Sequence, residues 1–159
     1  MPRTALYPGT FDPFTNGHFH ILQRTSAFFD RIIIAISTQS DKTPLLALEQ
    51  RVSIIESLFQ DMPQISVCAF DGLLVDFAQH MQAQAIIRGV RNAQDFAYEQ
   101  QLAAMNHELA PEVETLFLTA HPRVAHVSST WVRDIARQGG DVCAFVPKIV
   151  ADALTDMKQ

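Results

Sequence analysis

The chain has 159 residues, a formal net charge of −5, and 48% apolar against 18% charged residues, which suits one domain with a real core and is short for two. The mixed composition, free of Pro-rich or Ser/Gly-rich linkers, excludes a largely disordered chain. The acidic balance argues against a broad nucleic-acid surface, and the longest apolar runs, such as "IIIAI" at 32–36, are far too short to cross a bilayer.

Taken in order, β-rich apolar runs alternate with segments of helical period. The strand "TALYP" (4–8) precedes a helix over 17–29, and "RIIIAIS" (31–37) precedes one over 48–60. "ISVCAF" (65–70) is followed by a helix over 72–82, "AIIRG" (85–89) by one over 94–109, and "ETLFLT" (114–119) by helices over 129–138 and 147–157. Nearly continuous apolar strands joined by helical crossovers predict a single α/β domain over 1–159, an open doubly wound five-stranded parallel sheet with right-handed connections. Cys68 and Cys143 have no CxxC partner, so both are expected reduced and partly buried. The N-terminus shows no basic-then-apolar signal, and the expected location is the cytoplasm.

Ligands of open parallel sheets bind outside the carboxyl ends of the strands. The loops at that edge, "GTFDPFTNGH", "TQSDKTP", "RGVRNAQDF" and "HPRVAHVSST", hold the polar and cationic residues, whereas "FFDR" and "DMPQ" at the other edge are plain. In the first loop Gly9, Gly17, Pro8 and Pro13 fit turn chemistry. They also fit a phosphate site, because glycine admits close backbone approach and a helix starting at Gly17 and His18 aims free N–H groups outward. The spacing matches neither a P-loop nor GxGxxG. His18 and His20 point about 200° apart on a helix, a poor metal pair, so His20 is expected at the surface.

"YPGTFDPFTNGH" (7–18) resembles the signature of the nucleotidyltransferase superfamily, with Thr15-Asn16-Gly17-His18 as the TxGH form of its HxGH motif. "LEQRV" (48–52), "IIRGVRNAQDFAYEQQLAAMN" (86–106) and "VSSTWVRDIA" (127–136) extend the similarity nearly end to end, in particular to the phosphopantetheine adenylyltransferase family. The resemblance implies transfer of AMP from ATP to 4'-phosphopantetheine. The attacking phosphate monoester is already ionised near neutral pH, since its second pKa is about 6, so no general base is needed. Catalysis then consists of aligning two polyanions and stabilising charge at the α-phosphorus.

The resemblance also implies roles. His18, Lys42, Arg91 and Thr10 are the expected catalytic group. ATP is expected at Thr10, Phe11, His18, Gly89, Val90, Arg91, Glu99 and the run Val124, Ala125, His126, Val127, Ser128, Ser129, Thr130. Phosphopantetheine is expected at Thr10, Lys42, Leu74 and Arg88, with Lys42 on a closing loop. From pattern alone, Ser128 to Thr130 read as a helix cap, Lys42 as a solvated charge, and Leu74 as core. Magnesium is expected to arrive with ATP, held chiefly by phosphates and water, with Asp12 and Asp95 as outer participants. A homohexamer, feedback inhibition by coenzyme A, and no nucleic-acid or membrane partner complete the expectation. Phe14, Val90, Ala97, Val124 and His126 depart from the family pattern, the last two where an adenine pocket is expected. The alternatives are a cytidylyl or nicotinate-nucleotide transferase, or a noncatalytic nucleotide-binding module.

Overall fold

An apolar run such as Ile32-Ile33-Ile34-Ala35-Ile36 is fully buried only if both faces of its strand are covered, because successive side chains point to opposite sides. The computed structural model, which describes residues 1–39 and 43–157, supplies that cover. In chain order the elements are β1 (Thr4–Gly9), α1 (Asn16–Thr25), β2 (Arg31–Ser37), α2 (Leu48–Leu58), β3 (Ile65–Phe70) and α3 (Leu74–His80). They continue with β4 (Ala85–Val90), α4 (Ala93–Leu109), β5 (Glu114–Thr119), α5 (Ser129–Arg137) and α6 (Lys148–Asp156). The sheet order is β3-β2-β1-β4-β5, and every neighbouring pair is parallel.

The strand side chains divide by parity. Ala5, Tyr7, Ile32, Ile34, Ile36 and Ile87 pack with Ile21 and Leu22 of α1, Ile55 of α2, Val132 of α5 and Val150 of α6. Leu6, Ile33 and Ile86 face the other way, onto Val75 and Ala78 of α3 and onto Ala110 and Val113 beyond α4. This is the two-faced burial that the unbroken apolar runs require.

The predicted helices all form, and the first and third fall furthest short of their sequence pattern. The first was expected to reach residue 29 and stops at Thr25. Ala27 and Phe28 donate to carbonyls three residues back, and Asp30 then joins the sheet through the Arg3 carbonyl. The third covers 74–80 rather than 72–82, because Gly72 (φ 81°) and Gln82 (φ 54°) adopt left-handed backbone on either side. Cys68 is half-buried as expected. Cys143 is instead exposed, in a turn where its N–H donates to Asp141 at 2.9 Å.

Ile34 is completely buried at the centre of the larger cluster. Ile34→Ala is expected to lower unfolding free energy by roughly 2–5 kcal/mol, the range for deleting a buried isoleucine side chain. Urea denaturation measures it, and a loss below about 1 kcal/mol would contradict the packing described.

Candidate active site

β1 and β2 stay in register from Thr4↔Arg31 to Gly9↔Ile36, whereas β1 and β4 pair only at Ala5↔Ala85 and Leu6↔Ile86. Beyond those two pairs the strands part, at the point where the strand order reverses. A cavity of about 300 Å³ opens there, between Tyr7, Pro8 and Gly9 of β1 and Arg88 and Gly89 of β4. The start of α1 and the segment leading into α5 close its remaining sides. Gly89 permits this closeness: a Cβ there would lie 3.2 Å from Cγ1 of Ile21.

His18 enters the cavity from the first turn of α1. Thr15 caps that helix, and its backbone N–H donates to His18 Nδ1 at 3.0 Å. A ring nitrogen that accepts a hydrogen bond carries no proton, so the proton of the neutral imidazole sits on Nε2. The ring is wedged beside Phe11 (5.0 Å between centroids), Phe14 (5.3 Å) and Tyr7 (6.3 Å). Burial first, then the Arg91 and Arg88 guanidiniums, push the His18 pKa down to about 4. The free protein therefore presents a neutral N–H donor at neutral pH. Burial likewise raises the Tyr7 phenol above its ordinary range.

Two arginines define the opposite wall, each held by an acid of α4. Arg88 grips Glu99 with two hydrogen bonds, Nε to Oε2 at 2.7 Å and Nη2 to Oε1 at 2.5 Å. Its Nη1 also points at the Pro8 carbonyl, 3.3 Å away. Arg91 donates from Nε to Asp95 at 2.9 Å and from its backbone N–H at 3.1 Å. That guanidinium holds the Asp95 carboxyl below the usual range. Planar guanidiniums fixed in this way offer directional donors to phosphate, with little side-chain freedom left to lose.

The first loop is pinned from several sides. Asp12, 3% exposed, accepts from the Leu45 and Leu46 backbone at 2.7 and 2.8 Å. Arg133 of α5 donates to the Asp12 carbonyl at 2.7 Å, and Ser129 Oγ donates to the Pro13 carbonyl at 2.8 Å. Phe11 has left-handed backbone (φ 50°), which costs a non-glycine residue on the order of 1–2 kcal/mol. Its ring folds back over Gly9, where a Cβ would come within 2.9 Å of Cζ.

Of the residues expected from the sequence, Phe11, His18, Arg88, Gly89, Arg91, Glu99, Val124, Val127, Ser128, Ser129 and Thr130 share the cavity. Lys42 lies outside the described residues. Several others lie elsewhere. Thr10 is an exposed residue whose carbonyl accepts from Arg51, and the Val90 side chain is buried in the sheet. Leu74 packs against the smaller apolar cluster, the core position its pattern allowed. His126 is exposed, its ring 6.3 Å from that of Phe145.

Ser128 does cap α5, accepting from the Trp131 N–H at 3.2 Å, while the same segment lines the cavity. Glu99 meets Arg88, so any part it plays toward nucleotide includes holding that guanidinium. His20 is half-buried rather than at the surface, its ring 5.2 Å from that of His121 and its Nδ1 without a partner among the described residues. Tyr7, Gly17, Ile21 and Asp95 also line the cavity. Ile21 carried no signal, being indistinguishable in sequence from core, and Tyr7 stood out only as the first residue of the 7–18 signature.

Among the described residues no three His, Cys, Asp or Glu side chains gather as a metal cage. Asp12 is taken by backbone amides, and Asp95 and Glu99 by arginines. The outer magnesium contacts expected of Asp12 do not fit a buried carboxylate with both oxygens engaged.

A parallel sheet parted at its switch point, with a histidine on a capped helix, paired arginines and two helix N-termini around the opening, gathers the kinds of donor that suit phosphate. The family model described as cytidylyltransferase-like matches residues 6–135. A phosphopantetheine adenylyltransferase of Hahella chejuensis is 48% identical over 151 residues, covering 95% of this chain and 94% of the relative. The chain therefore belongs to the cytidylyltransferase-like nucleotidyltransferases and, within them, to the phosphopantetheine adenylyltransferase family. A crystal structure assigned as a nicotinate-nucleotide adenylyltransferase from Vibrio parahaemolyticus shares the fold, with a TM-score of 0.71 at 17% identity over 98% of this chain and 99% of that one.

The depressed His18 pKa has a testable sign. Unfolded, the ring takes a proton near 6.5 and in the fold near 4, so the unfolded state binds protons first as pH falls and stability is lost between those values. Histidine side-chain NMR should find His18 neutral at pH 5.5, and His18→Gln should flatten the stability loss between pH 6.5 and 4. A His18 titrating near its ordinary value would contradict the burial and charge described.

Proposed function

We propose that this chain transfers AMP from ATP to the phosphate of 4'-phosphopantetheine, forming dephospho-coenzyme A and pyrophosphate. The convergence of the His18 Nε2 donor, Arg88, Arg91 and the first turns of α1 and α5 on one cavity carries the reading. The 48% identity to a named phosphopantetheine adenylyltransferase supports the choice of substrates.

In the proposed reaction a phosphate oxygen of phosphopantetheine bonds to the α-phosphorus of ATP. The bond from that phosphorus to the bridging oxygen breaks, and pyrophosphate departs with the electron pair. No proton must be removed from the nucleophile. His18 Nε2–H donates to a non-bridging α-phosphate oxygen, where negative charge grows. Arg91 and the amides beside it hold the departing phosphates, and Arg88 with Lys42 holds the phosphopantetheine phosphate. Bound polyanion cancels part of the arginine field that, after burial, depresses the His18 pKa, so the ring takes a proton more readily in the loaded site than in the free protein. Positioning contributes the most, about 7–11 kcal/mol, against roughly 3–4 for one oriented donor. Magnesium accompanies ATP, carried by phosphates and water, and supplies further charge neutralisation there.

A cytoplasmic location suits a reaction that consumes ATP, and no helix among the described residues is long and apolar enough to cross a membrane. Coenzyme A carries both the pantetheine arm and the adenylyl group, so it suits the same cavity as a feedback inhibitor. Homohexamer formation is supported by α4, which buries no residue within the chain and exposes Phe96, Tyr98, Leu102, Met105 and Leu109. Light scattering is expected to give six times the chain mass, and a monomer at micromolar concentration would remove that part of the reading.

Protein incubated with ATP, magnesium and 4'-phosphopantetheine is expected to yield dephospho-coenzyme A and pyrophosphate, identified by mass. Nucleotide binding without product would favour a noncatalytic module. His18→Ala is expected to lower kcat by about 10²–10³-fold, the usual cost of one lost transition-state donor, with much less change in ATP affinity. Lys42→Ala should raise KM for phosphopantetheine; unchanged kinetics in either variant would remove that residue from the mechanism.

A further inference from the structure

The segment "LEQRV" (48–52) carries a residue for which the reaction above has no use. Arg51 is 4% exposed, yet it forms no ion pair among the described residues. Its guanidinium is held by carbonyls: Nε donates to Leu46 O at 3.1 Å and Nη1 to Thr10 O at 2.7 Å. Removing a cation from water without a counter-charge is costly, and a surface residue at this turn of α2 would avoid the cost. The second carbonyl suggests what is gained.

Thr10 O and Phe11 N–H are opposite edges of one peptide plane. In a trans peptide the two point in opposite directions, so a carbonyl drawn toward α2 turns the Phe11 N–H away from it. Phe11 lines the cavity, and among the described residues its N–H donates to no protein group. The local backbone does not favour this state. Rotating the plane by half a turn would take Phe11 φ from 50° to about −130°, out of the left-handed range that costs a non-glycine residue. That flip would present a carbonyl oxygen, instead of an N–H, to an incoming phosphate. The neighbouring restraints act elsewhere: the Asp12 carboxylate holds residues 45 and 46, and Arg133 and Ser129 hold the carbonyls of Asp12 and Pro13.

We infer that Arg51 is a positioning residue, which locks the Thr10–Phe11 peptide so that the Phe11 N–H is presented to the nucleotide phosphates. The inference rests on the reaction proposed above. Its mechanism is conformational: the buried donor selects one of two peptide orientations, and the orientation sets whether the loop attracts or repels polyanion.

The test compares wild type, Arg51→Met and Arg51→Lys. Two readouts are used: steady-state kinetics with each substrate varied, and the Phe11 amide resonance in ¹⁵N-labelled protein titrated with a non-hydrolysable ATP analogue and magnesium. In wild type the Phe11 amide should shift markedly on titration. Arg51→Met should lose that shift and lower kcat/KM for ATP by about a hundredfold, the scale of one lost backbone donor, while KM for phosphopantetheine changes little. Arg51→Lys keeps the charge but not the two-pronged donor geometry, and should fall between.

A merely structural role would lower Tm while leaving kcat per folded molecule and the Phe11 shift as in wild type, and that result overturns the inference. If Arg51→Met does not fold, the same measurements on Arg51→Lys decide. Failure of wild type to make dephospho-coenzyme A would count against the proposed reaction alone, because the Phe11 shift and its loss in the variants still test the anchor.

Discussion

The site exists because β1 and β4 stop pairing after two residues. A parallel ladder carried to the strand ends would fill the rim with paired backbone and leave nowhere for a ligand to enter. Instead the carboxyl halves diverge, Gly89 lets Ile21 approach from α1, and two helix starts lean over the gap. Everything chemical in the molecule is then a matter of which loops overhang that gap. The first loop, the turn after β4 and the approach to α5 all leave the sheet at the same edge, because all five strands run parallel and their carboxyl ends lie together.

The cavity solves an electrostatic problem before any ligand arrives. Two guanidiniums near one imidazole repel its proton and would repel each other, yet each has a carboxylate from α4 against it. The result is a polar, preorganised wall rather than a cluster of bare cations. Incoming phosphate need not collect mobile side chains; it meets donors already aimed, with the histidine proton on the cavity nitrogen. The same economy governs the first loop, where strained Phe11 backbone is held by a buried arginine rather than by a favourable local conformation.

Several features were legible in the sequence because their signals are local. The five strands follow from unbroken apolar runs, and the doubly wound parallel plan from their alternation with helices, while the order β3-β2-β1-β4-β5 came from the structure. The glycine spacing before His18 marked a helix start, and Arg88 and Arg91 stood out as paired cations at a strand's carboxyl end, whereas the cap that Thr15 places on α1 was not read from the sequence. Helix ends were less legible. Phe28 and Phe29 continue the apolar pattern of α1, yet the backbone had already tightened at Ala27 and Phe28 and turned toward the sheet. Asp12 looked available to a metal, but nothing in its neighbours in sequence reveals that Leu45 and Leu46 reach it.

The amino-acid sequence by itself determined the alternating α/β plan, the edge of the sheet that carries polar loops, and the histidine and arginines set there, because periodicity, capping and turn chemistry act between residues a few positions apart. Only the tertiary structure decided that Arg88 is bound to Glu99, that His18 is neutral with its proton on Nε2, and that Arg51 grips the Thr10 carbonyl. Each of those depends on burial and on partners brought together by folding. Desolvation and hydrogen-bond direction are properties of the assembled surroundings, and a linear pattern does not contain them.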